Sequence, residues 1–163
     1  MRIHHVVLLI SAALAACGKV SPIAPDYIDG KHAKVLGEWL ASQSGVRVAV
    51  DEDCGCNESL ALMRDGGEPN YHPYYRRGDF NGDGQEDFAA ILLGPSGERR
   101  LAVFNGPFAV GTGPAFLGVA HGALFLNSSN PGPSRLLVGE FHSEGAVLKP
   151  SGPAYELQFA EEN

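Results

Sequence analysis

From residue 87 onward, glycine and proline divide the chain into short apolar segments, and this punctuation constrains the fold more than any other feature. The segments are DFAAILL, RRLAVFN, LGVAHGALFL, RLLVGEF, GAVLKP and YELQFA, with connections such as GPSGE, PGPS and HSEG between them. The 21 glycines and 11 prolines leave few stretches in which a long helix could continue. The pattern therefore predicts a turn-rich antiparallel sheet of consecutive strands.

The N-terminal half contains the only helical patterns. Residues 31–43 carry apolar side chains at helical spacing, and Asp29 or Gly30 can cap the start of this helix. The stripe consists of Val35, Leu36, Trp39 and Leu40. Residues 58–64 predict a shorter helix with Asn57 as its N-cap, and residues 46–50 predict a strand. We expect an α+β fold in which one or two N-terminal helices pack on an antiparallel β-sheet.

The first sixteen residues have the composition of an export signal, with a charged start, an apolar run and a small-residue end. Leu14-Ala15-Ala16-Cys17 resembles the bacterial lipobox. That resemblance implies cleavage before Cys17 and a diacylglycerol on its thiol, which anchors the protein to a membrane together with an N-terminal acyl chain such as palmitate. Gly18 and Lys19, with no aspartate beside Cys17, favour the outer membrane. The alternative is an ordinary secretory signal with a chance cysteine.

The remaining chain has the size of one domain and the charge of an acidic protein. Residues 17–30 carry prolines without periodicity and predict a tether, followed by a single domain over residues 31–163. The net charge is −7, and loss of Arg2 with the signal makes it more negative. This composition provides no basic patch suited to nucleic acid.

The segment GDFNGDGQEDFAAILLG, residues 78–94, concentrates acidic side chains directly before an apolar strand. Counting from the first aspartate, oxygen-bearing side chains stand at positions 1, 3, 5 and 9, and a glycine at position 6 permits a sharp turn. The backbone carbonyl of position 7 can complete the set. These residues predict a calcium site formed by Asp79, Asn81, Asp83, Gln85 and Asp87. The alternative is an ion-free turn, because Asn, Asp and Gly also dominate ordinary turns.

This pattern resembles the calcium loops of FG-GAP and VCBS-type repeats, in which a strand leaves directly from the last aspartate. It is not an EF-hand loop, because Ala90 occupies the position of the bidentate glutamate. Residues 139–145 echo residues 78–84, but Leu148 replaces the last aspartate, so we expect a plain hairpin or a decayed repeat there. Two such units cannot close a full propeller, and the resemblance is confined to the loop.

Cys54 and Cys56 are the two cysteines that remain if Cys17 is lipidated. In an oxidising envelope we expect them to form a local disulfide, with Gly55 supplying the flexibility of the tight ring. Thiol-redox chemistry and binding of a soft metal are the alternatives.

The segment YHPYYRR, before the acidic loop, combines aromatic and cationic side chains. Such residues can form a surface for a protein or glycan partner, although tyrosines of this kind also pack over sheet edges. The candidate surface consists of Tyr71, Tyr74, Tyr75, Arg76 and Arg77.

Nucleophile, zinc-protease, P-loop and dinucleotide motifs do not occur in the sequence. The leading hypothesis is therefore a non-enzymatic, lipid-anchored cell-envelope domain with one structural calcium site, which contacts a protein or glycan on the periplasmic or external face. The competing hypothesis is a thiol-redox or metal-handling envelope lipoprotein that uses Cys54 and Cys56.

Replacement of Cys17 tests the anchor. Cys17→Ser is expected to move the protein from the membrane fraction to the soluble fraction and to abolish incorporation of labelled palmitate, because the thiol that carries the lipid is lost. A variant that stays with the membrane, together with a wild type that takes no label, would contradict the prediction.

Overall fold

The computed structural model describes residues 24–127, 135–141, 145–152 and 154–159. The predicted export signal, Cys17 and the first part of the predicted tether lie outside these residues, so the expectations for them remain predictions. The described helices are α1 (Gly30–Leu40) and α2 (Asn57–Asp65), and a 3₁₀ helix (Asp51–Cys54) lies between them. The described strands are β1 (Arg47–Val48), β2 (Tyr75–Gly78), β3 (Asp87–Leu93), β4 (Arg99–Phe104), β5 (Phe116–Val119), β6 (Ala123–Asn127), β7 (Arg135–Gly139), β8 (Ala146–Ser151) and β9 (Ala154–Phe159).

Helix α1 forms as its apolar stripe predicts. The Asp29 carboxylate accepts a hydrogen bond from the Lys31 N–H at 2.9 Å and so caps the first turn. Leu36 and Leu40 are fully or almost fully buried, whereas Trp39 is only partly buried. Ile28, which lies in the predicted tether, is also buried in the same cluster, so the described end of the tether packs on the domain.

The first sheet is organised around β3. Strands β1 and β2 pair with the two halves of one edge of β3, and β4 pairs with its other edge. Strand β5 extends the sheet beyond β4, and all of these pairings are antiparallel.

The alternating side chains of β3 serve two cores, one on each face of the first sheet. Phe88, Ala90 and Leu92 face the cluster formed with α1, whereas Ala89 and Ile91 face the second sheet. All five are buried. This double burial explains why the residues after Asp87 in DFAAILL are all apolar instead of alternating with polar residues.

The second sheet is an antiparallel meander in the order β6, β7, β8, β9. It packs on the first sheet through a shared core that includes Leu124, Leu136, Val138, Leu148 and Tyr155. The two sheets of the described residues do not close into a barrel or a propeller. The predicted α+β class is therefore confirmed, with the strands divided between two sheets.

Three local features of the structure are not evident from the sequence pattern. LGVAHGALFL is two strands in different sheets, because the chain turns at Gly122, where φ is 85° and a Cβ would collide with the Gly139 backbone. Strand β2 begins within YHPYYRR, a segment in which the sequence pattern does not indicate a strand. The last strand, β9, buries Tyr155 but leaves Phe159 77% exposed.

Among the described residues, no helix is long and apolar enough to span a membrane.

Candidate functional site

The acidic loop connects β2 to β3, and Asp79 organises its first half. One Asp79 carboxylate oxygen accepts hydrogen bonds from the N–H groups of Gly82 and Asp83 at 2.7 and 3.1 Å. The other oxygen accepts one from the Gly84 N–H at 3.0 Å. Gly82 and Gly84 have φ values of 80° and 81°, which suit glycine and allow the loop to curl around this carboxylate.

Asn81 and Asp83 also accept hydrogen bonds from backbone N–H groups of the loop. Asn81 Oδ1 accepts the Asp83 N–H at 2.9 Å, and Asp83 Oδ1 accepts the Gln85 N–H at 2.7 Å. The Asn81 amide also donates to Asp83 Oδ2 at 3.0 Å. The oxygen-bearing side chains of Asp79, Asn81 and Asp83 are thus linked by hydrogen bonds within one short loop at the protein surface.

Asp87 differs from the other acidic residues because its side chain is 0% exposed. Its carboxylate accepts hydrogen bonds from the Phe80 N–H at 2.8 Å and the Gly106 N–H at 3.0 Å. The Tyr155 hydroxyl lies 3.4 Å from the same carboxylate and donates to Asn105 Oδ1 at 2.6 Å. Burial raises the pKa of the Asp87 carboxyl, while the hydrogen bonds from the backbone oppose that shift.

The donor set of the loop suits a hard cation, since carboxylate and amide oxygens are the ligands that calcium prefers. In the arrangement described, these oxygens instead accept backbone N–H groups. No group of three or more His, Cys, Asp or Glu side chains in the described part of the chain is placed to hold a metal ion. Calcium ligation by these side chains remains a prediction.

Cys54 and Cys56 form a disulfide in the structure, with Cα atoms 5.0 Å apart. Gly55 between them adopts φ 62°, and Cys56 is the N-cap residue of α2 without a side-chain cap bond, which moves the predicted cap at Asn57 by one residue. Asp53 fixes the turn through two hydrogen bonds from the Arg47 guanidinium, each 2.7 Å long. This pairing lowers the pKa of the Asp53 carboxyl.

Four residues of the predicted partner surface are buried. Tyr71, Tyr74, Tyr75 and Arg76 are each at most 8% exposed, and only Arg77 reaches the solvent. Tyr74 and Tyr75, at the start of β2, pack into different cores because successive side chains point to opposite faces. Tyr71 stacks on Phe125, and its hydroxyl donates to the Leu124 carbonyl at 3.1 Å. The tyrosines of this segment are therefore part of the packed fold, and contact with a partner through the segment remains a prediction.

Next to this segment lies a polar network that no sequence motif indicates. The Asp51 carboxylate lies 3.0 Å from His72 Nδ1 and also accepts a hydrogen bond from Arg64. Tyr27 stacks on the His72 ring with centroids 3.7 Å apart. The residues come from the predicted tether, the 3₁₀ helix, α2 and the segment before β2. Because they are far apart in sequence, their spacing gave no signal that they meet.

No protein-family model, curated protein or solved structure matched the chain.

Non-reducing peptide mapping of the exported protein tests the Cys54–Cys56 bond. The peptide that contains both cysteines is expected to have a mass two hydrogens below that of the dithiol form. Neither cysteine is expected to be alkylated before the protein is reduced. Two alkylatable thiols in freshly isolated material would contradict this prediction and support the metal-handling hypothesis.

Replacement of Tyr155 tests the hydrogen-bonded link between the sheets. Tyr155→Phe is expected to lower the free energy of unfolding by about 1–2 kcal/mol, because Asn105 Oδ1 loses its donor near the buried Asp87. Urea unfolding monitored by circular dichroism measures the change.

Tyr27→Phe is the matched control, because the buried Tyr27 hydroxyl has no hydrogen-bond partner among the described residues. This variant is expected to be neutral or slightly more stable than the wild type. Equal effects of the two substitutions would contradict the role assigned to Tyr155.

Proposed function

We propose that the protein is a lipid-anchored binding domain of the bacterial cell envelope, stabilised by one calcium ion in the loop between β2 and β3. The observation that carries the calcium proposal is the concentration of Asp79, Asn81 and Asp83 oxygens within one curled loop, held by glycines with positive φ. The lipobox-like sequence that ends at Cys17 supports the anchor, and an envelope protein or glycan is the proposed partner.

The ion would bind the exposed carboxylates of the loop. Asp79 and Asp83 lie close together, and a divalent cation between them replaces mutual repulsion with ligation. Asn81 would add a neutral oxygen and Gln85 its backbone carbonyl. Each of these groups belongs to the surface part of the loop, so they can rearrange without disturbing either core.

The buried Asp87 would transmit this effect to the fold. Its backbone begins β3, and its side chain binds the Phe80 N–H of the loop and the Gly106 N–H of the β4–β5 connection. An ion that orders the loop would therefore also order the start of the central strand. This position suits a stabilising site better than a catalytic one, because the ion would lie at the surface end of the loop.

Thermal unfolding tests the calcium proposal. Comparable extracellular sites bind at about 10⁻⁴–10⁻³ M, and free calcium at roughly ten times the Kd adds about 1.4 kcal/mol of stability. We expect the melting temperature of the purified protein to rise by a few degrees in millimolar calcium, and by less in magnesium, which requires a tighter octahedral shell.

Asp83→Ala is expected to remove the calcium-dependent rise, because it deletes a ligand and one of the repelling charges. Asp65→Ala is the matched control, since Asp65 is an exposed aspartate at the end of α2, outside the loop. The control should retain the full rise. If calcium changes neither the wild-type melting curve nor the heat of a calorimetric titration, the segment is an ordinary turn.

A further inference from the structure

A cleft of about 540 Å³ lies beside β2. Three consecutive strand residues, Tyr75, Arg76 and Arg77, contribute to its wall. Successive side chains of a strand point to opposite faces, so a cleft that touches all three must lie along the edge of the strand. In the described residues β2 pairs as a strand with β3 alone, while β6 lies close to it: the Leu124 N–H donates to the Pro73 carbonyl at 2.7 Å, and Leu126 also lines the cleft.

Arg76 is a buried cation in this wall with incomplete hydrogen bonding. The residue is 8% exposed, and its Nε has no hydrogen-bond partner within the described structure. Its Nη1 donates to the carbonyls of His72 and Tyr75, both at 3.3 Å. Its nearest carboxylate, that of Glu68, is 3.4 Å from Nη2, longer than a charge-assisted hydrogen bond of about 2.7–2.9 Å.

Glu68 is a weak partner for a buried charge because its own side chain is 56% exposed. An exposed carboxylate at this distance is hydrated and returns little of the free energy lost when the guanidinium leaves water. Among the described residues, the Arg76 guanidinium therefore lacks a close anionic partner. Arg76 is held in place for such a contact, since its guanidinium lies 4.0 Å from the centre of the Tyr71 ring.

His72 provides a second oriented group in the same cleft. Its Nδ1 is engaged by Asp51, whose carboxylate is also bound by Arg64, and its ring stacks on Tyr27. This arrangement fixes the imidazole and leaves Nε2 as the ring nitrogen available to a ligand. Asn70 and the exposed Arg77 guanidinium add further donors to the wall.

We propose that this cleft binds the carboxylate group of an envelope ligand, with Arg76 as the principal partner and Arg77 and His72 as supporting donors. The acidic side chains of Glu68 and Asp29 also line the cleft and favour a monoanion over a dianionic phosphate. A peptide C-terminus and an acidic sugar share this carboxylate chemistry. The inference deepens the partner-binding part of the proposed function and is independent of the calcium loop.

Isothermal titration calorimetry of the purified, lipidated protein tests the proposal. The probes are N-acetylalanine and sodium glucuronate, with N-acetylalanine amide and glucose as neutral counterparts and inorganic phosphate as the dianion. At least one carboxylate is expected to bind saturably, and its neutral counterpart is expected not to bind. Whichever carboxylate binds more tightly identifies the peptide or the sugar source.

Two substitutions with opposite expected effects make the test specific. Arg77→Gln should weaken binding about two- to fivefold, because it removes an exposed cation from the wall. Glu68→Gln should strengthen binding, because it removes the carboxylate that competes for Arg76. Arg100→Gln is the matched control for charge: Arg100 is an exposed arginine on β4 outside the cleft and should leave the affinity unchanged. Arg76→Gln should weaken binding about tenfold or more if the variant folds.

Binding of neither carboxylate, equal binding of the neutral probes, or tighter binding of phosphate would overturn the assignment. An equal loss in Arg100→Gln and Arg77→Gln would also overturn it, since it would indicate attraction to net charge alone. The titrations are performed with calcium and after its removal by a chelating resin, because EDTA itself carries carboxylates. Carboxylate binding in both conditions, with no calcium effect on melting, would reject the calcium site while supporting the cleft.

Discussion

The buried carboxylate of Asp87 is the contact on which the arrangement of the two sheets depends. It receives hydrogen bonds from the acidic loop and from the β4–β5 connection, and the Tyr155 hydroxyl of the second sheet lies beside it. A buried carboxylate without such donors would be strongly unfavourable, so each donor is required to remain in place. One side chain thereby fixes the start of the central strand, the turn at Gly106 and the position of β9.

The acidic residues at the start of β3 and in the loop before it therefore lie in two different environments. Asp87 is internal and is satisfied by protein donors, whereas Asp79 and Asp83 are at the surface and accept the N–H groups of their own loop. The regular spacing that predicts Asp79, Asp83 and Asp87 as carboxylate ligands of one calcium ion does not distinguish these environments. Only the packing of Gly106 and Tyr155 around one carboxylate separates a structural aspartate from those free to meet an ion.

The sequence predicted what depends on local periodicity and failed where long-range packing decides. The stripe on α1 and the apolar run of β3 specify their elements because each pattern matches one regular geometry. Strand β2 was missed because Arg76 and Arg77 interrupt its apolar pattern, and its pairing with β3 is not visible locally. The cleft was missed for the same reason, since Asp51, Arg64 and His72 meet only after the chain has folded.

The buried polar side chains of the described core are His32, Arg76 and Asp87, and all three belong to the β2–β3 hairpin or contact it. His32 Nδ1 lies 2.6 Å from the Tyr75 hydroxyl, so even the polar residue of α1 is tied to β2. Apolar burial would stabilise this hairpin without these groups, and each carries a desolvation cost. Their concentration around one hairpin, with the acidic loop at its turn and the cleft beside β2, places both features on a single strand. Tyr75 and Arg76 at the cleft and Gly78 at the loop are separated by at most three residues of one strand, so a change in its pairing with β3 would reach both.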